Sequence, residues 1–121
     1  MIEYINEHHG YMLRGIEHDI NPINNFGVEC GKGWHPLIKE MIDIISKLDI
    51  RKEVNIFQIK EKFGQFRFYY NITKVTNKYI EEVVSDFEIK INNTCEICSA
   101  PGKIHKKTRL QTLCDVCYNK D

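Results

Sequence analysis

Cys95 and Cys98, followed by Cys114 and Cys117, are the residues of this sequence best suited to do chemistry. Each pair is spaced C-x-x-C, and fifteen residues separate the pairs. Two cysteines that close on a tight turn aim both thiolates at one ion, and two such turns complete a tetrahedral Cys₄ shell. The cofactor this predicts is a structural Zn²⁺. A closed shell holds structure and leaves no position for a substrate. A redox dithiol needs only one C-x-x-C within a βαβ pattern, which is missing here. Lys103, His105, Lys106, Lys107 and Arg109 lie between the pairs, on the loop that a zinc ribbon projects. They read either as a solvated basic loop or as a surface for a phosphate or a partner.

Other candidates lie upstream. Trp34 follows Gly31-Lys32-Gly33 and precedes His35-Pro36. It either staples this loop to the next helix or stacks a ligand above the loop amides and a helix N-terminus. A lone GxG does not meet the dinucleotide fingerprint. Lys60, Lys62, Arg67 and Tyr69 sit on a predicted hairpin, where they form either the wet face of a sheet or an aromatic–basic surface for a nucleotide. The candidate ligand-binding set is therefore Trp34, His35, Lys60, Lys62, Arg67 and Tyr69. Cys30, beside Glu29 and near His35, is either a small buried hydrophobe or a nucleophile. His8, His9 and His18, with Glu17 or Asp19, make a weak second metal set, because adjacent helical residues do not face one way. There is no H-E-x-x-H, G-x-S-x-G or Walker loop, so the expectation is a protein that is not an enzyme.

The elements that position these residues follow from periodicity. Ile2, Ile5 and His9 suggest a short helix ending near Gly10, and Asn21-Pro22 is a turn signal. Leu37, Ile38, Met41, Ile42, Ile45 and Leu48 recur at helical spacing, predicting a helix over 36–48 with Pro36 in its first turn. Val54–Ile59 and Phe66–Tyr70 read as strands joined at the Gly64 turn, with Phe66, Phe68 and Tyr70 inward and Arg67 and Tyr69 outward. A second helix is predicted over about 74–90, with Val75, Tyr79, Ile80, Val83, Val84 and Phe87 as its apolar stripe and Asn92-Asn93 as its stop. The fold class is α+β: a small antiparallel β-sheet, built on a hairpin at about 54–70 and packed by two helices, with a C-terminal zinc ribbon or knuckle. Residues 1–92 form the core domain in this reading, and 93–121 the zinc-binding segment.

The 121 residues carry seventeen bases and seventeen acids. Residues 1–50 hold four bases against eight acids, 51–94 eight against six, and 95–121 five against three. Duplex DNA demands a strongly basic face, and this sequence lacks the charge for one. No apolar run reaches membrane-span length, and no secretory signal opens the chain. A cytoplasmic, reducing location follows as the default, and there paired C-x-x-C motifs hold zinc.

Three blocks carry a resemblance: Phe26–Ile38 (FGVECGKGWHPLI), Ile59–Tyr69 (IKEKFGQFRFY), and Thr94–Gly102 (TCEICSAPG) with Leu113–Cys117 (LCDVC). Together they resemble a family of small uncharacterised phage and prophage proteins with ECGxGW, KEKFGxLRFY and terminal CxxC…CxxC motifs. Ser99 stands where that family often has Gly, Gln65-Phe66 where Gly-Leu is common, and His35 where another aromatic is common. The resemblance implies a phage origin and the cytoplasm of an infected bacterium, but no mechanism. The expected function is a non-enzymatic binding protein, in its most concrete form a counter-defence protein that sequesters a nucleotide second messenger of host immunity. The alternatives are a zinc-ribbon adaptor for a protein (including a host defence protein) or nucleic acid, and a small nucleotide hydrolase using Glu29, Cys30 and His35. A homo-oligomer that pairs two such surfaces is compatible with all three.

Overall fold

A computed structural model describes residues 1–15, 21–73, 76–106 and 108–120. His18, Glu17, Asp19, Val75 and Lys107 lie outside the described residues. The chain runs α1 (Ile2–His9), a 3₁₀ turn (Gly10–Leu13), α2 (Pro22–Phe26), β1 (Val28–Glu29), a second 3₁₀ turn (Lys32–Trp34), α3 (His35–Leu48), β2 (Val54–Lys62), β3 (Gln65–Ile72), α4 (Lys78–Asn92), β4 (Lys103–Lys106), β5 (Leu110–Leu113) and α5 (Asp115–Tyr118). The architecture is α+β. Among the described residues, no helix is long and apolar enough to cross a membrane.

β2 and β3 form the predicted antiparallel hairpin, with Ile59 opposite Phe68 and Lys60 opposite Arg67. The first departure from expectation is that the sheet is mixed. Val28 and Glu29, in the segment expected to be a loop, pair in parallel with Ile59 and Lys60. The second is a bulge between Ile56 and Gln58, which resets the alternation so that Val54, Ile56 and Ile59 are all buried. Phe66 and Phe68 face inward as their spacing predicts, and Tyr69 is exposed.

α3 buries Ile38, Met41, Ile42 and Ile45, the stripe read from its 3.6-residue period. α4 buries Ile80, Val84, Phe87 and Ile91, whereas Tyr79, assigned to that stripe, is exposed. α4 starts later than predicted because Asn77 caps it, its side-chain oxygen accepting from the amides of Tyr79 and Ile80 at 3.0 and 3.2 Å. These helices, the sheet, Trp34 and α1 share one core. A second, smaller cluster gathers Cys95, Leu113 and Cys117 under the β4–β5 hairpin.

Asp49 closes the turn from α3 into β2. Its carboxylate accepts from the amides of Glu53 and Val54, each at 2.9 Å, and from the Tyr11 hydroxyl at 2.7 Å. Asp43 does similar work for α1, accepting from the Tyr4 hydroxyl at 2.7 Å and pairing with His9 Nε2 at 2.7 Å. His9, considered above as a metal ligand, thus faces Asp43.

Candidate metal centre and sheet-face site

The four cysteines meet. Their sulfur atoms all lie within 4.8 Å of one another. A tetrahedral Zn²⁺ with Zn–S of about 2.3 Å needs sulfurs about 3.8 Å apart, so this donor set fits the ion. Cys95 and Cys117 are buried, Cys114 is half-buried and Cys98 is exposed. Burial raises the Cys95 pKa, but hydrogen bonds from the backbone at Cys114, Cys98 and Ile97 outweigh it and hold the thiol at about 6. The knuckle that carries the first pair turns through Ser99, whose φ is 71°. A left-handed backbone there is a conformation that glycine adopts more readily than serine. Ser99 offsets the strain by donating its hydroxyl to the Gly33 carbonyl at 2.6 Å.

That bond belongs to a joint between the metal-binding segment and the glycine loop. The Gly33 amide donates to the Glu96 carbonyl at 2.7 Å, and the Gly31 amide donates to Glu96 Oε2 at 2.8 Å. Trp34 Nε1 donates to the Thr94 carbonyl at 2.7 Å. A Cβ on Gly33 would collide with the Cys95 carbonyl, and one on Gly31 with the Glu96 backbone. Both positions are glycine because another stretch of backbone lies against them. The hairpin tip joins as well, with the Thr112 hydroxyl donating to the Gly64 carbonyl at 2.6 Å and Arg109 pairing with Glu61 at 3.1 Å.

This geometry corrects two of the sequence assignments. Trp34 is fully buried, edge-on to Phe66 with ring centroids 6.0 Å apart, so it staples the loop rather than stacking a ligand. The Gly31 and Gly33 amides are spent on Glu96 and offer no anion site. His35 opens α3 half-buried. Burial pushes its pKa down, with the chain's N-terminal amine adding to this and the Cys30 backbone opposing it. Cys30 is also half-buried, and burial together with Glu96 and Glu61 pushes its thiol up to about 12. A thiol shifted in this direction is a weaker nucleophile at neutral pH, in keeping with Cys30 as a small packed side chain.

The other four candidates share the outer face of the sheet. Lys60 and Arg67 stand directly opposite each other, and Lys60 Nζ lies 5.7 Å from the centre of the Tyr69 ring. Tyr69 is 44% exposed. Lys62 follows Lys60 on the same face by alternation and ends the strand. Two carboxylates border the set: Glu29 pairs with Lys60 from β1, and Glu88 on α4 feels the charge of Arg67.

One residue of this surface was missed. Phe63 forms the two-residue turn with Gly64, at φ values of 55° and 79°. Turns of this hand match the strand twist and normally carry Asn-Gly. A phenylalanine there costs about 1–2 kcal/mol, and it is 66% exposed with Lys62 Nζ 5.6 Å from its ring centre. The signal was present in the sequence as an aromatic directly before the turn glycine.

Neither a protein-family model, nor a curated protein, nor a solved structure matches this chain.

Proposed function

We propose that this chain is a non-enzymatic binding protein, built on a zinc-pinned frame, whose outer sheet face takes a phosphate-bearing nucleotide. The observation that carries this reading is the opposition of Lys60 and Arg67 beside Tyr69. Two cations on facing strand positions suit a phosphate, and the guanidinium offers it a planar fork. The half-exposed phenol ring offers a base a stacking surface. The zinc site is structural in this reading, and its four thiolates hold the segment that fixes the glycine loop.

The phage-type motifs direct the choice of ligand. A nucleotide signal of bacterial antiviral immunity is the first class to try, bound in the infected cell's cytoplasm and released unchanged. Isothermal titration against cyclic and ADP-ribose-type nucleotides tests this. Binding that weakens in Arg67→Ala and Tyr69→Ala, with intact ligand recovered after denaturation, supports sequestration. Absence of heat for every ligand overturns it, and new products would reassign the chain to hydrolysis.

A second reading, a zinc-ribbon adaptor, has its own observation. Ile97 and Val116, one in each C-x-x-C turn, are 57% and 68% exposed, and Lys103, Lys106 and Arg109 are exposed between the pairs. A partner bound there would be lost on charge reversal at Lys106 and Arg109. Retained binding removes this reading.

A further inference from the structure

Phe63 is a strained residue whose side chain the fold does not bury. It sits at the tip of β2–β3 in a left-handed conformation, two-thirds exposed, where Asn would cost less. Strain of this kind points from an observed outlier toward a role. The surroundings suggest the role. From the level of Tyr69, which pairs with Gln58, to the tip, the outer face runs through Lys60 opposite Arg67 and then Lys62 opposite Gln65. Each of the two exposed aromatics has a lysine ammonium over or beside its ring, at 5.7 and 5.6 Å.

The span from Gln58 to Phe63 is about 17 Å at strand rise. That is several times the ~3.4 Å axial rise per nucleotide of a stacked strand. On this face Lys62 and Tyr69 are exposed, and Lys60 and Arg67 are half-buried. A cavity of about 460 Å³ lies elsewhere, between the end of α3 and the start of α4, and is lined by Arg51, Ile72, Lys78 and Tyr79 among others. A single nucleotide gains most from a concave pocket that buries most of its surface. A strip with aromatics at both ends and cations between them suits an extended chain of phosphates and bases.

We propose that the β2–β3 hairpin binds a single-stranded oligonucleotide, with Phe63 and Tyr69 each stacking a base and Lys60, Lys62 and Arg67 contacting the phosphates between them. This deepens the proposed function and rests on the same face, but it replaces a mononucleotide with a polymer. Charge complementarity favours this occupant. The strip itself carries three cations, and the bordering acids Glu29 and Glu88 lie on the neighbouring β1 and α4.

Fluorescence anisotropy with labelled ten-nucleotide oligothymidylate and oligouridylate on the zinc-loaded full chain tests the proposal. Phe63→Asn is the decisive variant, because Asn keeps the turn while removing the ring. It should weaken binding about 5- to 100-fold with no loss of thermal stability. Lys62→Gln should lower the slope of log affinity against log salt by about one. Oligonucleotide binding that is unchanged in Phe63→Asn, or displaced equally well by polyglutamate, overturns the proposal. Binding of mononucleotides but not oligonucleotides also overturns it while leaving the proposed function intact, and binding of neither removes both.

Discussion

The amide of Gly33 donates to the carbonyl of Glu96 at 2.7 Å, so the loop before α3 and the first C-x-x-C turn form one structure. The approach is close enough that a single methyl group would separate them. Gly33→Ala places a Cβ against the Cys95 carbonyl and within 2.6 Å of the Glu96 carbonyl carbon. Neither is a flexible side chain that can step aside. The expected cost is about 1–3 kcal/mol, as for overpacking, with altered exchange protection at residues 94–99. Gly10→Ala is the control, because the nearest atom to its Cβ is Asn6 Oδ1 at 3.8 Å. Equal denaturation midpoints for the two variants would show that the joint carries no stability.

Trp34 is placed to report on a metal held by the four cysteines. It is the chain's one tryptophan, fully buried, with its indole N–H held by Thr94 next to Cys95. Structural zinc sites contribute folding free energy directly, so removing the ion releases the segment that the ion organises. A strong chelator should release one zinc per chain and red-shift the Trp34 emission while far-ultraviolet dichroism from α3 and α4 persists. Cys98→Ser should do the same without chelator. Unchanged Trp34 emission after complete zinc loss would separate the two regions energetically.

Asp43 ties the α1 anchor to pH. Burial raises its pKa, yet hydrogen bonds from Tyr4 and His9, with the charges of His9 and Lys39, bring the net shift below the ordinary aspartate value. A carboxylate whose pKa is lower folded than unfolded stabilises the fold above its unfolded pKa. That contribution is lost as pH falls through the folded pKa, so it disappears in acid below about pH 4. Asp43→Asn should flatten this acid limb of the stability curve and increase hydrogen exchange in α1 at neutral pH. An acid limb identical to that of the unmodified chain would remove Asp43 from the account.

What was legible in the sequence depended on how far each signal reached along the chain. α3 and the β2–β3 hairpin announce themselves through local periods of 3.6 and 2, and the cysteine spacing fixes the metal set almost by itself. Gly31 and Gly33 were legible as glycines but not in purpose. A phosphate loop and a backbone docking surface require the same letters, and the deciding partner, Glu96, lies far along the chain. Trp34 was ambiguous for the same reason, since only Phe66 and Thr94 show that it is enclosed. The bulge after Ile56 and the two-residue β1 were invisible, because both are set by pairing rather than by the segment's own composition. Phe63 shows the converse. Its neighbour Gly64 marked the turn, but only the backbone angle shows that an exposed aromatic is held there at a cost.

Asp49 supplies a sharper test of how the core is assembled. Its carboxylate is 6% exposed and accepts three hydrogen bonds, two from the amides that begin β2 and one from Tyr11. Burial and the Asp49 contact push the Tyr11 pKa well above the ordinary tyrosine value, so the phenol remains a donor across the working range. Asp49→Ala strands the Val54 amide in a buried setting and cuts the link from the first 3₁₀ turn to α3. Unsatisfied buried donors cost about 1–3 kcal/mol each, so loss at the upper end of that range is expected by urea denaturation. Tyr11→Phe removes only one of the three bonds and should cost about 1 kcal/mol. Combining the two should give less than the sum of the single effects, because the variants share the Tyr11–Asp49 bond. Strict additivity in that double-mutant cycle would show that the bond contributes nothing, and that Asp49 acts on the turn alone.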